Sequence, residues 1–324
     1  MARREPRTGE REVALTTVTR TTGNNLALKR GEIETPGLRL DFAEVQPLVA
    51  GFRRMVRELE FDVCEMAFTT YLCAKEHGKA FTALPVFLVR DFHHAAITHN
   101  VNAGINHPKD LEGRRVGVNR GYTVTTGVWA RGILQDEYGV DLSTITWVLS
   151  GDEHVAEYQA PDNVVAMRPD GDLAEMVATG ELAATIGVDI DHPDVAPLIP
   201  NPKAAAVAAL RDHGLYPINH LVVVRDELLQ DRPGLAAQLF HAFSESKDRY
   251  VTALRDDRLP APEARDATYR EALQALGDDP LPYGIAPNRP IIDRLIRHAV
   301  EQRILRHSPE LDTLFAPGTH DLVG

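Results

Sequence analysis

Short apolar runs alternate with stretches of helical period along most of this chain. Residues 13–18 (VALTTV) form an apolar run of strand length. In VQPLVAGFRRMVRELEF, Val45, Leu48, Val49, Phe52, Val56 and Leu59 recur at helical spacing and predict an amphipathic helix. FDVCEM (61–66) predicts a strand end, TTYLCAKEHG a helix capped near Gly78, and LPVFLV (84–89) a strand. RVGV (115–118) predicts a strand, NRGYT a turn, and the residues after it a helix stopping at Gly139. ITWVL (145–149), ATIGVDI (184–190) and LVVV (221–224) predict further strands, and DLAEMVATG a short helix ending at Gly180. Residues 199–219, with prolines at both ends, predict a connector. Beyond residue 232 only helical periods appear, and Pro233 and Pro290 stand near helix starts, where proline is tolerated.

Strands alternating with helices predict an α/β fold with largely parallel sheets. In such sheets ligands bind beyond the carboxyl ends of the strands. That rule selects residues 20–24, Glu65, residues 90–94, residues 119–126, residues 189–192, and the pair Asn219 and His220. A length of 324 residues fits two lobes better than one core. The net charge of −12 excludes a general nucleic-acid binder, which needs surplus Lys and Arg. An anionic small molecule then requires a local positive pocket. No apolar run reaches the length of a membrane span, and the first 18 residues carry charges rather than a signal-like apolar run. The expectation is a cytoplasmic protein with no membrane or nucleic-acid partner; a homo-oligomer stays open. Cys64 and Cys73, the two cysteines, fit no familiar zinc spacing and read as small buried hydrophobes.

The chemistry is sought at the strand ends. VNRGYTVTTG (118–127) gathers hydroxyls and backbone amides at a helix start, which favours an anion. It lacks the glycine and lysine patterns of nucleotide loops. The plainer reading is a helix cap at Thr123 or Thr125. TTVTRTTGNN (16–25) brings Arg20 and Thr22 to another strand end, as an anion site or a polar turn. Glu65 stands among apolar residues, where a carboxylate could take a ligand hydroxyl or serve as a cap. His93 and His94, as strand neighbours, would face opposite ways and not share a metal. Metal partners would have to be Glu65, Asp189, Asp191 or His192, and no HExxH-type spacing supports them. His220 precedes an apolar strand and reads as a proton-transfer residue or a satisfied core histidine.

ALPVFLVRDFHHAAI, PKDLEGRRVGVNRGYTVTTGVWARGILQDEYGV and YPINHLVVV together resemble the 4,5-dihydroxyphthalate decarboxylase family, over roughly residues 12–260. The resemblance implies a type II periplasmic-binding-protein-like fold, with two α/β lobes joined by a two-strand hinge and a ligand cleft between them. It places residues 1–98 and 204–324 in one lobe and 99–203 in the other. It implies decarboxylation of a hydroxylated aromatic carboxylate, by protonation at the ipso carbon and loss of carbon dioxide. No organic cofactor is expected; a divalent metal is the minor alternative. His220 is the expected proton donor, with His94 second and Glu65 as acceptor for a ring hydroxyl. Arg90 and the Thr123–Thr126 helix start are the expected carboxylate cradle. Arg20, Thr22, His93, Tyr122, Thr123, Thr125, Thr126, Asp189 and Asn219 complete the expected lining. The family pattern has an arginine–histidine pair where this chain has His93–His94, so His94 matches it and His93 departs. The rival readings are a non-catalytic solute-binding protein and a different lyase on the same scaffold, resembling chorismate dehydratase.

Overall fold

The computed structural model describes residues 12–260 and 263–324. Eleven strands form two mixed sheets, with helices packed around both. The first sheet has the order β2-β1-β3-β11-β4, from β1 (Val13–Val18), β2 (Leu38–Phe42), β3 (Val63–Ala67), β4 (Phe81–Arg90) and β11 (Ile218–Arg225). The second has the order β10-β5-β9-β6-β7-β8. Its strands are β5 (Ile97–Asn100), β6 (Arg115–Val118), β7 (Thr146–Leu149), β8 (Val164–Ala166), β9 (Ala184–Ile186) and β10 (Val195–Pro197). The chain crosses between sheets twice, after β4 and before β11.

Both faces of the first sheet are covered over its central strands β3, β11 and β4, which read as continuous apolar runs, while β1 and β2 towards the edge alternate. All five residues of β3 are buried, as are nine of the ten in β4. β11 runs antiparallel between β3 and β4. Its register against β4 slips on either side of His220. Pro85 lies in β4, and a proline cannot donate a ladder hydrogen bond. Such irregularities bend a strand and re-aim its side chains.

The helices are α1 (Gly23–Lys29), α2 (Leu48–Glu58), α3 (Phe68–Glu76), α4 (Thr125–Tyr138), α5 (Leu173–Ala178) and α6 (Pro202–His213). They continue with α7 (Asp226–Asp231), α8 (Leu235–Arg255), α9 (Ala264–Leu276), α10 (Arg289–Glu301) and α11 (Leu311–Leu314). Gly78 and Gly139 follow α3 and α4 in left-handed backbone, as expected of helix-ending glycines. Three sequence expectations change. The 199–219 connector contains the 12-residue α6. The strand expected over 184–190 ends at Ile186, where Gly187 turns left-handed. The short strands β2, β5, β8 and β10 were not expected; three or four residues carry too little pattern to separate β5, β8 and β10 from loop. Cys64 and Cys73 are buried thiols.

Several contacts tie the first sheet and its helices to the second. The Trp129 indole on α4 donates to the Ile218 carbonyl at 3.0 Å. The Thr69 and Thr125 hydroxyls meet at 2.9 Å across α3 and α4. Arg57 on α2 donates to the carbonyls of Glu153 and His154. The C-terminal α10 also packs on α4: Arg131 Nε donates to Gln302 Oε1 at 2.8 Å, and Gln302 Nε2 donates to the Val128 carbonyl at 3.0 Å. No helix among the described residues is long and apolar enough to cross a membrane.

The α4–α10 packing depends on a glycine. A Cβ added at Gly132 would lie 2.6–2.7 Å from the ring of His298, a buried side chain. Gly132→Ala is therefore expected to lower stability by about 1–3 kcal/mol, as overpacked cores do. Urea denaturation checks this; an unchanged midpoint would show that α10 yields freely.

Candidate active site

The register of β3 against β11 builds the centre of the site. Glu65 pairs with Val222 and His220 with Ala67, so Glu65 and His220 are diagonal neighbours on one face. The carboxylate is fully buried, and Oε1 lies 2.5 Å from His220 Nδ1. Arg20, just beyond β1, donates its backbone amide to Glu65 Oε2 and its Nε to Oε1, both at 2.8 Å. An ionised carboxylate only accepts, so Nδ1 carries the hydrogen and donates. The Arg20 Nη2 group, 3.2 Å from Nδ1, is then a neighbour rather than a donor to it. His220 Nε2 bonds to no described residue. Phe52 on α2 holds the imidazole edge-on, ring centroids 5.2 Å apart at 89°.

Burial pushes the Glu65 carboxyl up, but the His220 hydrogen bond and the Arg20 charge outweigh it and hold the carboxyl below its ordinary value. Burial pushes His220 down, and Glu65 offsets this only in part. Arg20 is the permanent counter-charge, so the resting pair is a charged Glu65 beside a neutral His220. That arrangement resembles the orienting half of a catalytic triad: a buried carboxylate fixes the tautomer and aims the free nitrogen.

The structure brings together some of the expected residues and assigns others to different work. Arg20, Glu65 and His220 meet. His93 Nε2 lies 2.9 Å from Asn219 Oδ1, beside His220 in sequence, and burial pushes the ring's pKa down. Thr22 caps α1, its amide donating to Asn25 Oδ1 at 3.0 Å. Glu65, expected to accept a ring hydroxyl, is fully buried and already accepts three hydrogen bonds within the protein, two from Arg20 and one from His220. Its place is to orient His220.

His94 is not in this cluster. Its Nε2 sits 3.0 Å from both Glu137 oxygens on α4. Arg90 is also no cradle. It is 2% exposed, with its guanidinium over the rings of Tyr216 and Phe87. It donates to the Tyr216 carbonyl at 2.9 Å and to Asn288 Oδ1. Burial lowers its pKa to about 10. The helix start at Thr123 is filled by the chain itself. The amides of Tyr122 and Thr123 and the Thr123 hydroxyl all donate to the Glu153 carboxylate. Tyr122 is buried under Arg131, 3.8 Å from guanidinium carbon to ring centroid, and Thr125 bonds to Thr69. Thr126 is half-buried on the same turn, against Gly187. Asp189 is exposed beyond β9.

Two residues near the site carried no usable sequence pattern, and a third, Arg120, lay in the 119–126 stretch without being singled out. Arg265 on α9 donates to the Arg90 carbonyl at 3.2 Å and to Asp91 at 3.3 Å. His154 packs edge-on against Phe52 at 6.2 Å; burial, with Arg53 and Arg120 adding to it, lowers its pKa to about 4. Arg120 follows β6 in left-handed backbone, φ 70°. The metal partners expected for the histidines do not gather around them. Among the described residues, Asp136, His298 and Glu301 could approach one ion, on α4 and α10. Arg297 already pairs with both of those carboxylates.

The reassignment of Arg90 has a direct test. Arg90→Met is expected to cost about 2–4 kcal/mol, because it leaves the Tyr216 carbonyl and the Asn288 amide oxygen buried without a donor. Substrate KM should change less than about threefold. A tenfold rise in KM at unchanged stability would return Arg90 to the ligand.

No family model matches the chain. A Comamonas testosteroni protein named 4,5-dihydroxyphthalate decarboxylase is 32% identical over 283 residues, 82% of this chain and 85% of that protein. A Pseudomonas putida protein of the same name is 32% identical over 190 residues, 54% of this chain and 73% of that one. Among solved structures, a Candida albicans gene product with the generic periplasmic binding protein fold matches at TM-score 0.56 and 13% identity, covering 96% of this chain and 99% of that one. The desulfurization enzyme DszB matches at 0.54 and 13%, covering 94% and 97%. The Methylobacillus flagellatus sulfonate-binding protein SsuA matches at 0.52 and 13%, covering 95% and 93%. These structures share the fold alone: two α/β lobes of the type II periplasmic-binding-protein kind. With two mixed sheets, two crossings and this level of identity over most of its length, the chain belongs to the 4,5-dihydroxyphthalate decarboxylase family.

Proposed function

We propose that the chain decarboxylates a 4,5-dihydroxyphthalate-like substrate, with His220 delivering the proton. The observation that carries this reading is the Glu65–His220 pair, which leaves Nε2 of the imidazole as the one ring atom without a protein partner. The family relationship supplies the reaction type.

A ring hydroxyl para to a carboxylate donates electron density to the carbon that bears it. Nε2–H of a protonated His220 transfers its proton to that ipso carbon, and a C–H bond forms. The C–CO₂ bond then breaks, and its electron pair restores the aromatic ring. Carbon dioxide leaves, and the other carboxylate stays on a dihydroxybenzoate product. His220 ends neutral and is reprotonated from solvent. Glu65 stabilises the imidazolium while it exists, and Arg20 keeps Glu65 ionised throughout. Phe52 covers one side of the imidazole edge-on, and closure of the lobes over a substrate would exclude water and strengthen each of these charges.

Carbon dioxide release from 4,5-dihydroxyphthalate tests the activity directly. His220→Gln is expected to lower kcat by about 10²–10⁴-fold, the usual worth of a positioned acid. Glu65→Gln should retain the fold and lose at least about tenfold, since a neutral amide no longer stabilises the imidazolium. Tight binding of the compound without turnover by the unaltered protein would contradict the reading and favour a solute-binding role.

The pH dependence has a definite sign. The donor must be protonated, and burial places the His220 pKa below its ordinary value of about 6.5. The free protein's kcat/KM should therefore fall as pH rises through that lowered pKa. A bound carboxylate favours the imidazolium, so the descending limb of kcat should lie at higher pH. A kcat/KM profile that rises from pH 5 to 7 would contradict His220 as the acid.

A further inference from the structure

We propose that Arg120 is the clamp by which the second lobe holds the carboxylate that the substrate keeps. The proposal rests on the decarboxylase reading of the Glu65–His220 cleft.

Arg120 is placed by backbone, not by a salt bridge. It is exposed and left-handed, φ 70°, a conformation that costs an ordinary residue about 1 kcal/mol or more and marks functional turns. Its amide donates to Ser150 Oγ at 2.8 Å, and Gly151 packs so closely that an added Cβ would lie 3.3 Å from the Arg120 Cα. The loop after β7 thus holds the turn after β6. The guanidinium has no hydrogen-bond or ion-pair partner among the described residues. Its neighbours differ: Arg53 and Arg57 both reach Asp152, and Arg54 reaches Glu60.

Arg120 lines a cavity of about 350 Å³ between the two lobes. Val49, Ala50, Arg53 and Arg54 of α2 form one wall, and Gly151, Asp152 and His154 of the second lobe form the other, with Asp152 already paired to Arg53 and Arg57. Phe52, on the same helix, packs edge-on against His154 of that lining and against His220, and so links the cavity to the proton-transfer centre. Burial and the Arg20 charge both lower the Arg120 pKa. Arg20 of the first lobe already serves Glu65, while Arg120 of the second lobe has no counter-ion among the described residues. A cation so placed favours an anion beside it. The other anion cradle of the second lobe is closed to ligands, because Glu153 occupies the amides at Tyr122 and Thr123.

A dicarboxylate suits this geometry. One carboxylate lies over His220 and departs as carbon dioxide; the ortho carboxylate reaches Arg120. Because Arg120 belongs to the second lobe, this contact also rewards closure of the cleft.

Calorimetry with phthalate and with 3,4-dihydroxybenzoate, beside steady-state kinetics on 4,5-dihydroxyphthalate, tests the assignment. Arg120→Met is expected to weaken both bound acids and raise KM by about 10–100-fold, the loss of a charge-assisted pair, with kcat within about threefold. Arg120→Lys should recover part of the affinity. Inhibition by catechol, which has the hydroxyls and no carboxylate, should stay within about twofold, a separation that a merely structural role would not produce. Unchanged phthalate affinity in Arg120→Met, or equal losses for catechol and the acids, would overturn the proposal. If the unaltered protein binds these acids through Arg120 but releases no carbon dioxide, the decarboxylase reading fails and the clamp stands.

Discussion

A carboxylate with no solvent exposure is the constraint around which this site is arranged. Glu65 sits on a strand buried on both faces, where an uncompensated charge would cost several kcal/mol. Arg20 compensates it with a backbone amide and a guanidinium, and His220 with an imidazole N–H. Those three bonds stabilise the buried charge and set the imidazole tautomer, leaving its other nitrogen without a hydrogen-bond partner among the described residues. A strand register, a single residue beyond β1 and a bulged partner strand are what bring the three together.

The same logic separates residues that stabilise from residues that await a ligand. Arg90 is buried and bonded within the protein, and His94 pairs with Glu137. The amides at the α4 start hold Glu153. Each looks like an anion or proton site when only its chemistry is considered. What removes them from candidacy is that their partners are already supplied by other elements. Arg120 has the opposite character: an ordinary surface arginine by composition, but one held at the lobe boundary without a counter-charge.

Much of the architecture was legible in the chain. The run at 84–89 became a strand buried on both faces, those at 13–18 and 115–118 became strands with part of their length exposed, and the glycines at 78 and 139 end helices as expected. The rule that ligands gather beyond strand ends selected Arg20, Glu65 and His220, which the structure brings together, although Glu65 lies within β3 and His220 near the amino end of β11. It could not rank them against Arg90 or Thr123, which also lie at strand ends, because occupancy depends on distant residues. Asn288 and Tyr216 claim Arg90 from 198 and 126 positions away, and Glu153 claims Thr123 from 30. Arg120 lies in the 119–126 stretch that the rule selected but was not singled out within it, since a missing partner leaves no trace in local sequence. The departure at His93 has a structural counterpart in its bond to Asn219, next to the proton-transfer residue.

The central claim is that Glu65 fixes His220 as a neutral imidazole with its hydrogen on Nδ1 and a free Nε2. Nitrogen-15 NMR of histidine-labelled protein at pH 7.5, with His220 assigned by its absence in His220→Gln, reads this directly. The account predicts a neutral ring protonated at Nδ1 and not at Nε2. A ring protonated at Nε2 alone would contradict it.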